Sequence, residues 1–250
     1  MRNNKNGITR GLVVGASGTI GSAVARSLAP AAESLVLHYH RNRQAVEDFC
    51  RTAALEKGRC HLLGEDLTRE EGCRRLVSEA VRLMRGIDFI AICHGGVQWK
   101  HWENLVWSDW EEIFKEHCMS SFTLAKEVLE YMKEQRRGRI VYLSSISPKY
   151  AGSPKSLHYA AAKAALETAM KGLAREAAPF GVCVNGVRAG FVMTPQQTAG
   201  RNEGEIRARI EKIPLGRAGR AEEVAGAFAY LLSAEAAFVT GTIIEVAGGD

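Results

Sequence analysis

The sequence has no apolar stretch long enough to span a bilayer, no C-x-x-C pair and no H-x-x-x-H pair. The first absence excludes a membrane-spanning helix. The second leaves the six cysteines (Cys50, Cys60, Cys73, Cys93, Cys118, Cys183) scattered, which suits reduced thiols better than a disulfide framework. The third leaves a metal site without support, with His38 and His40 read as two residues of one strand. The opening segment MRNNKNGITR is basic but is not followed by the apolar run of a secretory signal, so the expected location is cytoplasmic. Lysine and arginine number 33 against 28 acidic residues, a net charge of +5. There is no long basic block and no interleaving of aromatics, which argues against a nucleic-acid partner. An anionic small ligand uses such charge equally well.

What is present is a chain of 250 residues with 46% apolar composition, enough for one sizeable core. No linker or fixed-period repeat divides it, so the expectation is a single domain over 1–250. Short β-branched or apolar runs at 11–15, 34–39, 59–64, 88–93, 139–145, 182–187 and 242–246 read as strands. Between them, 19–29, 43–56, 69–84, 108–133, 157–178 and 221–233 carry Ala, Leu and charged residues at helical spacing. Strand and helix in alternation predict an α/β fold: a Rossmann-type, doubly wound domain whose seven-stranded parallel sheet is covered by helices on both faces. The irregular stretches at 95–107, 146–156 and 190–220 then follow strand ends, where ligands bind in such sheets.

Three features point to a ligand. The first strand runs into GASGTIGSAVARSLA, with Gly15, Gly18 and Gly21 leading into an amphipathic helix. Glycines allow a tight turn and close approach of a phosphate, and the helix N-terminus offers free N–H groups. The second strand ends in HYHRNRQ, and no Asp or Glu occurs from 34 through 46. An acid near this strand end holds a ribose hydroxyl, whereas a base accommodates a 2′-phosphate, so Arg41, with Arg43 or His40 beside it, favours NADP(H) without excluding NAD(H). The competing reading is a solvated arginine pair. Asp66 follows the third strand, placed either to accept a hydrogen bond from an adenine amino group or to sit at a helix start with Thr68 as N-cap.

In this order, GASGTIG, DL at 66, HGG at 94, LSS at 143, YAAAK at 159, VNGVRAGFVMTP and the C-terminal block PLGRAGRAEEVAGAFAYLLS…FVTGTIIEVAGG resemble the short-chain dehydrogenase/reductase family across nearly the whole chain. The resemblance is strongest to bacterial 3-oxoacyl-acyl carrier protein reductases. It implies that Tyr159 donates a proton to a carbonyl oxygen as hydride arrives from a nicotinamide, that Ser145 hydrogen-bonds the same oxygen, and that Lys163 binds the nicotinamide ribose. Tyrosine is a poor acid at its ordinary pKa of about 10, and a lysine four residues on, on the same helix face, is expected to lower that value. Ser144 and Ser147 compete with Ser145. The resemblance assigns cofactor contacts to Gly15, Ser17, Gly18, Thr19, Ile20, Gly21, Arg41, Asp66, Leu67, Cys93, Gly95, Tyr159, Lys163, Gly190, Val192 and Thr194.

The chain departs from the family pattern in four places. Val14 replaces a threonine, and Thr19 stands at the middle-glycine position with Gly18 before it. Cys93 and His94 replace Asn-Ala, which puts local hydrogen bonding of the loop in question. His117 falls where the family has an asparagine whose backbone carbonyl holds a water behind the lysine; it joins the catalytic set or simply packs in its helix. Ala189 replaces a proline, loosening the loop that passes the nicotinamide.

All four tryptophans, Trp99, Trp102, Trp107 and Trp110, lie in one stretch, as an apolar substrate wall or as packing and interface residues. Residues 196–213 correspond to a variable, substrate-covering lid within about 190–220. The resemblance implies a homotetramer built through helices 108–133 and 157–178 and the C-terminal strand region. Ala165, Ala169 and Gly172 would permit close helix approach or face the core. The leading expectation is an NADPH-dependent carbonyl reductase, acting on a 3-oxoacyl thioester of acyl carrier protein or as a biosynthetic ketoreductase. The alternatives are an NAD(P)-dependent alcohol dehydrogenase working oxidatively and a non-catalytic dinucleotide-binding sensor.

Overall fold

Alternating burial along the first strand shows how the sheet divides the protein. A computed structural model describes residues 8–52, 59–199 and 201–250. In β1 (Arg10–Val14), Leu12 and Val14 point into one core and Val13 into the other, the period-two geometry of a strand buried on both faces. The chain continues through α1 (Thr19–Leu28), β2 (Ser34–Tyr39), α2 (Arg43–Thr52), β3 (Cys60–Gly64), α3 (Glu70–Met84) and β4 (Phe89–Ile92). The second half comprises α4 (Trp107–Phe114), α5 (Ser120–Gln135), β5 (Gly138–Ser145), α6 (Leu157–Ala177), β6 (Val182–Ala189), α7 (Pro195–Thr198), α8 (Glu203–Glu211), α9 (Ala221–Leu231) and β7 (Ile243–Val246). Residues 53–56 of the expected second helix lie outside the described residues.

The seven strands are parallel in the order β3-β2-β1-β4-β5-β6-β7. Helices α3, α5 and α6 pack on one face and α1, α2 and α9 on the other. The order reverses between β1 and β4, so loops leaving the carboxyl ends of these two strands diverge and open a crevice. At the opposite end the sheet is fastened by Asp88, just before β4. Its carboxylate accepts hydrogen bonds from the Thr9 and Arg10 backbone N–H groups and from the Arg10 and Arg137 side chains, at 2.9–3.2 Å.

Two expectations change. The helix expected over 108–133 is interrupted at Lys115–Met119 by a π turn, one wide turn that separates α4 from α5. The lid region is not simply irregular: Asn202 and Glu205 form a reciprocal capping box that starts α8. Cys50 and Cys60, distant in sequence, bring their thiols to 3.1 Å as free cysteines. Among the described residues no helix is long and apolar enough to cross a membrane.

Candidate active site

The crevice is a cavity of about 410 Å³ at the carboxyl ends of β1, β4, β5 and β6. Gly15, Ser17, Gly18, Thr19, Ile20 and Gly21 line one side. Gly15 has φ +77, where a side chain is strained, and a Cβ on Gly21 would stand 2.1 Å from the Gly15 carbonyl oxygen. Only glycine lets α1 start this close to the turn. Gly18 occupies the N-cap with no side-chain cap, so the first N–H groups of α1 are left to a ligand. The turn is held from β2 by His38. Gly15 N–H donates to His38 Nδ1 at 3.2 Å, which leaves Nε2–H to donate to the Glu65 carbonyl at 3.1 Å. Burial takes this imidazole down to about 4, so it stays neutral as an acceptor. These residues fit a dinucleotide pyrophosphate.

Ser145 ends β5, and Tyr159 and Lys163 lie one turn apart on the buried face of α6. The Lys163 Nζ donates to the Leu143 carbonyl at 2.8 Å and sits 5.9 Å from the centre of the Tyr159 ring. Burial lowers the Lys163 ammonium to about 8, with the Glu116 charge opposing it. Burial also raises the Tyr159 phenol to about 12, offset in part by the Ser145 side chain. The expected depression of the phenol by Lys163 is therefore not found: desolvation dominates, and the phenol holds its proton firmly. Of the competing serines, Ser144 donates to the buried carboxylate of Glu167 at 2.6 Å, which Arg188 also grips. Ser147 accepts a hydrogen bond from Ser145 at 3.0 Å.

The loop after β4 is tied to the π turn. Gly96 donates its N–H to Glu116 Oε1 at 3.2 Å and accepts from His117 Nε2 at 2.8 Å, so neighbouring residues of the turn hold both ends of the Gly96 unit. The Ser120 hydroxyl donates to the Glu116 carbonyl at 2.6 Å, which makes His94 Nε2 the donor in its 2.7 Å contact with that hydroxyl. His94 thus supplies a hydrogen bond where the loss of an Asn-Ala pair raised doubt. His117 is buried, its ring packs edge-on to Tyr159 at 5.0 Å, and burial keeps it neutral. A Cβ on Gly95 would meet the His117 ring at 2.3 Å, so the histidine fills space that this glycine leaves.

A second cavity of about 440 Å³ adjoins the first. Ser145 and Tyr159 line both, together with Val97, Gly190 and Gln197. Of the tryptophans only Trp99 reaches it; Trp102 and Trp107 are exposed, and Trp110 packs near His158 and Phe114.

Cys93, Gly95, Gly190, Val192 and Thr194 all line the first cavity. Arg41, Arg43, Asp66 and Leu67, expected near the cofactor, do not line this cavity. Arg41 is exposed on the turn after β2, and His40, not Arg41, lines the cavity. Arg43 is engaged with Glu47 at 2.7 Å. Asp66 accepts from the Thr68 backbone and hydroxyl at 3.0 and 2.7 Å, and Leu67 is buried in the core. Sequence reasoning missed His38 and Glu116. No local pattern marks either one, because each acts through a partner far away in sequence.

With this geometry in place, the class is clear: the chain belongs to the short-chain dehydrogenase/reductase family and is an NAD(P)-dependent oxidoreductase. A family model described as enoyl-(acyl carrier protein) reductase matches residues 15–250. Among individual proteins, the chain is 34% identical over 242 residues to 3-oxoacyl-(acyl-carrier-protein) reductase of Aquifex aeolicus, covering 95% of each. It is 29% identical to acetoacetyl-CoA reductase of an Acinetobacter species over 239 residues, again covering 95% of each. The crystal structure of acetoin dehydrogenase from Enterobacter cloacae superposes with a TM-score of 0.87 at 25% identity, covering 98% of this chain and 96% of that one.

Proposed function

We propose that the protein is an NADPH-dependent carbonyl reductase whose substrate enters through the second cavity. The observation that carries this reading is that Ser145 and Tyr159 form the wall shared by the two cavities. A carbonyl oxygen reaching that wall meets two hydroxyl donors. The nicotinamide, when bound, supplies the hydride. Tyr159 donates its proton to the oxygen, Ser145 holds the same oxygen, and Lys163 binds the ribose and carries the positive charge behind the phenol. His117 positions Tyr159 through its ring edge and fixes the Gly96 loop.

NADP(H) is the preferred cofactor. The absence of acid from 34 through 46 and the basic His40 at the cavity edge support this, with Arg41 beside it. The substrate is a ketone, with 3-oxoacyl thioesters of acyl carrier protein among the candidates in view of the relatives. Assembly as a homotetramer through α4 to α6 is part of the same reading, supported by the exposed Met119, Phe122 and Gly172 on those helices.

The test follows oxidation of NADPH and of NADH against β-ketoacyl thioesters and simple ketones. Turnover with a lower KM for NADPH is expected; a lower KM for NADH would defeat the cofactor assignment, and cofactor binding without turnover on any carbonyl would defeat the reductase. A pH prediction accompanies it. Lys163 loses its proton near 8, well before Tyr159 does, so kcat for reduction is expected to fall as pH rises through about 8. A profile flat to pH 10 would remove the lysine charge from the mechanism.

A further inference from the structure

The second cavity contains more positive charge than its walls neutralise. Arg201, Arg209 and Lys212, from the segment carrying α8, all line it, and the acidic residue in that lining is Asp250. Asp250 is already paired: its carboxylate accepts from Arg209. Among the described residues, no acidic side chain lies within ion-pair distance of Arg201. Its guanidinium lies 4.6 Å from the centre of the Trp99 ring and 5.6 Å from that of Phe191, within cation–π range of both. Lys212 is exposed at the same cavity and, among the described residues, likewise has no acidic partner in ion-pair range.

Such an arrangement costs free energy unless something compensates for it. Burial and the neighbouring Arg209 both act against the Arg201 charge, and the Glu205 charge opposes them only in part. Cation–π attraction to Trp99 and Phe191 offsets part of that cost. A planar, unpaired fork is matched by two oxygens of a carboxylate or phosphate. Ser145, Tyr159 and Arg201 line the same cavity, so one molecule can place a carbonyl at the two hydroxyls and an anion on Arg201.

We propose that the substrate is a ketone carrying an anionic group at a distance from the carbonyl, and that Arg201 binds that group with Lys212 adding to the attraction. The inference rests on the carbonyl-reductase reading and narrows it: neutral ketones are poor substrates, and Arg201 is a specificity residue outside the catalytic set. Both a free carboxylate and the phosphates of a thioester carrier present this chemistry.

The experiment compares matched pairs with the intact protein. Acetoacetate against methyl acetoacetate tests the carboxylate, and acetoacetyl-coenzyme A against the N-acetylcysteamine thioester tests the phosphates. In at least one pair the charged member is expected to have the higher kcat/KM, by about ten- to a hundredfold, the range for a charge-assisted hydrogen bond, expressed mainly in KM. Arg201→Gln should remove that preference while the neutral member stays within about twofold, and Arg201→Lys should keep part of it. An unchanged melting temperature for both variants separates this from a folding defect. Equal use of charged and neutral members by the parent protein, or a preference that survives Arg201→Gln, overturns the proposal while leaving the reductase reading intact. If no ketone is reduced, the reductase reading fails, and quenching of tryptophan fluorescence by acetoacetate or coenzyme A, present in the parent and lost in both Arg201→Gln and Trp99→Phe, still decides the anion site. The absence of such quenching overturns it.

Discussion

Tyr159→Phe is expected to lower kcat for carbonyl reduction by about 10²- to 10⁴-fold, the contribution of a positioned general acid. The substitution removes one oxygen and leaves the ring, so the edge-on contact with His117 and the packing of α6 persist. Binding of the reduced cofactor, followed by fluorescence, should change little, because the glycine turn and α1 are untouched. The loss should appear equally in kcat and kcat/KM, as it does for an interaction made only in the transition state. Activity within tenfold of the parent would mean that another group, with Ser145 the nearest, delivers the proton.

The second large effect concerns stability. Asp88→Ala should cost about 3–5 kcal/mol, the range for breaking a buried charged network by removing one partner. Asp88 is 1% exposed and receives two backbone N–H groups as well as Arg10 and Arg137, so its loss strands several donors at once. Asp88→Asn should cost less, since one acceptor oxygen remains. Urea unfolding should show a lower midpoint with unchanged slope. The network also sets a pH dependence. Burial pushes the Asp88 carboxyl up, but hydrogen bonds from Arg10 and Thr9 outweigh it and hold the group below its ordinary 3.8. Because the folded value is the depressed one, this stabilisation is complete above about 3.8 and disappears as pH falls through the folded value. The alanine variant should lack that part of the acid sensitivity.

Much of this molecule is legible in its sequence because local rules and global fold agree. The strand-turn-helix of GASGTIG, the i, i+4 spacing of Tyr159 and Lys163 and the strand-final Ser145 each depend on neighbours within a few residues, and each stands where it was expected. What was not legible depends on distant partners. His38 matters because β2 lies beside β1 and its imidazole reaches Gly15. Glu116 matters because a widened turn sets it against Gly96. The Tyr159 phenol was expected to be lowered because spacing reveals the lysine; spacing does not reveal the burial that outweighs it. Arg43, one of the alternatives beside Arg41, pairs with Glu47 one turn on, as the solvated-surface reading allows. Asn202-x-x-Glu205, by contrast, was a readable helix start inside a region taken only as a lid.

The π turn at Lys115–Met119 makes the site a matter of counting. An α-helix advances about 100° per residue, and a π turn accommodates one residue more than the regular winding. Deleting a single residue there would let α4 and α5 run as one unbroken helix. Because the wide turn absorbs its extra residue, the faces of α4 and α5 would keep nearly their present directions, and Ile113 would stay against Tyr159 and Ala162. Glu116 and His117 could no longer face Gly96 together. A frame one residue shorter would keep the sheet, the glycine turn and α6, and would lose the brace that joins the β4 loop to the tyrosine.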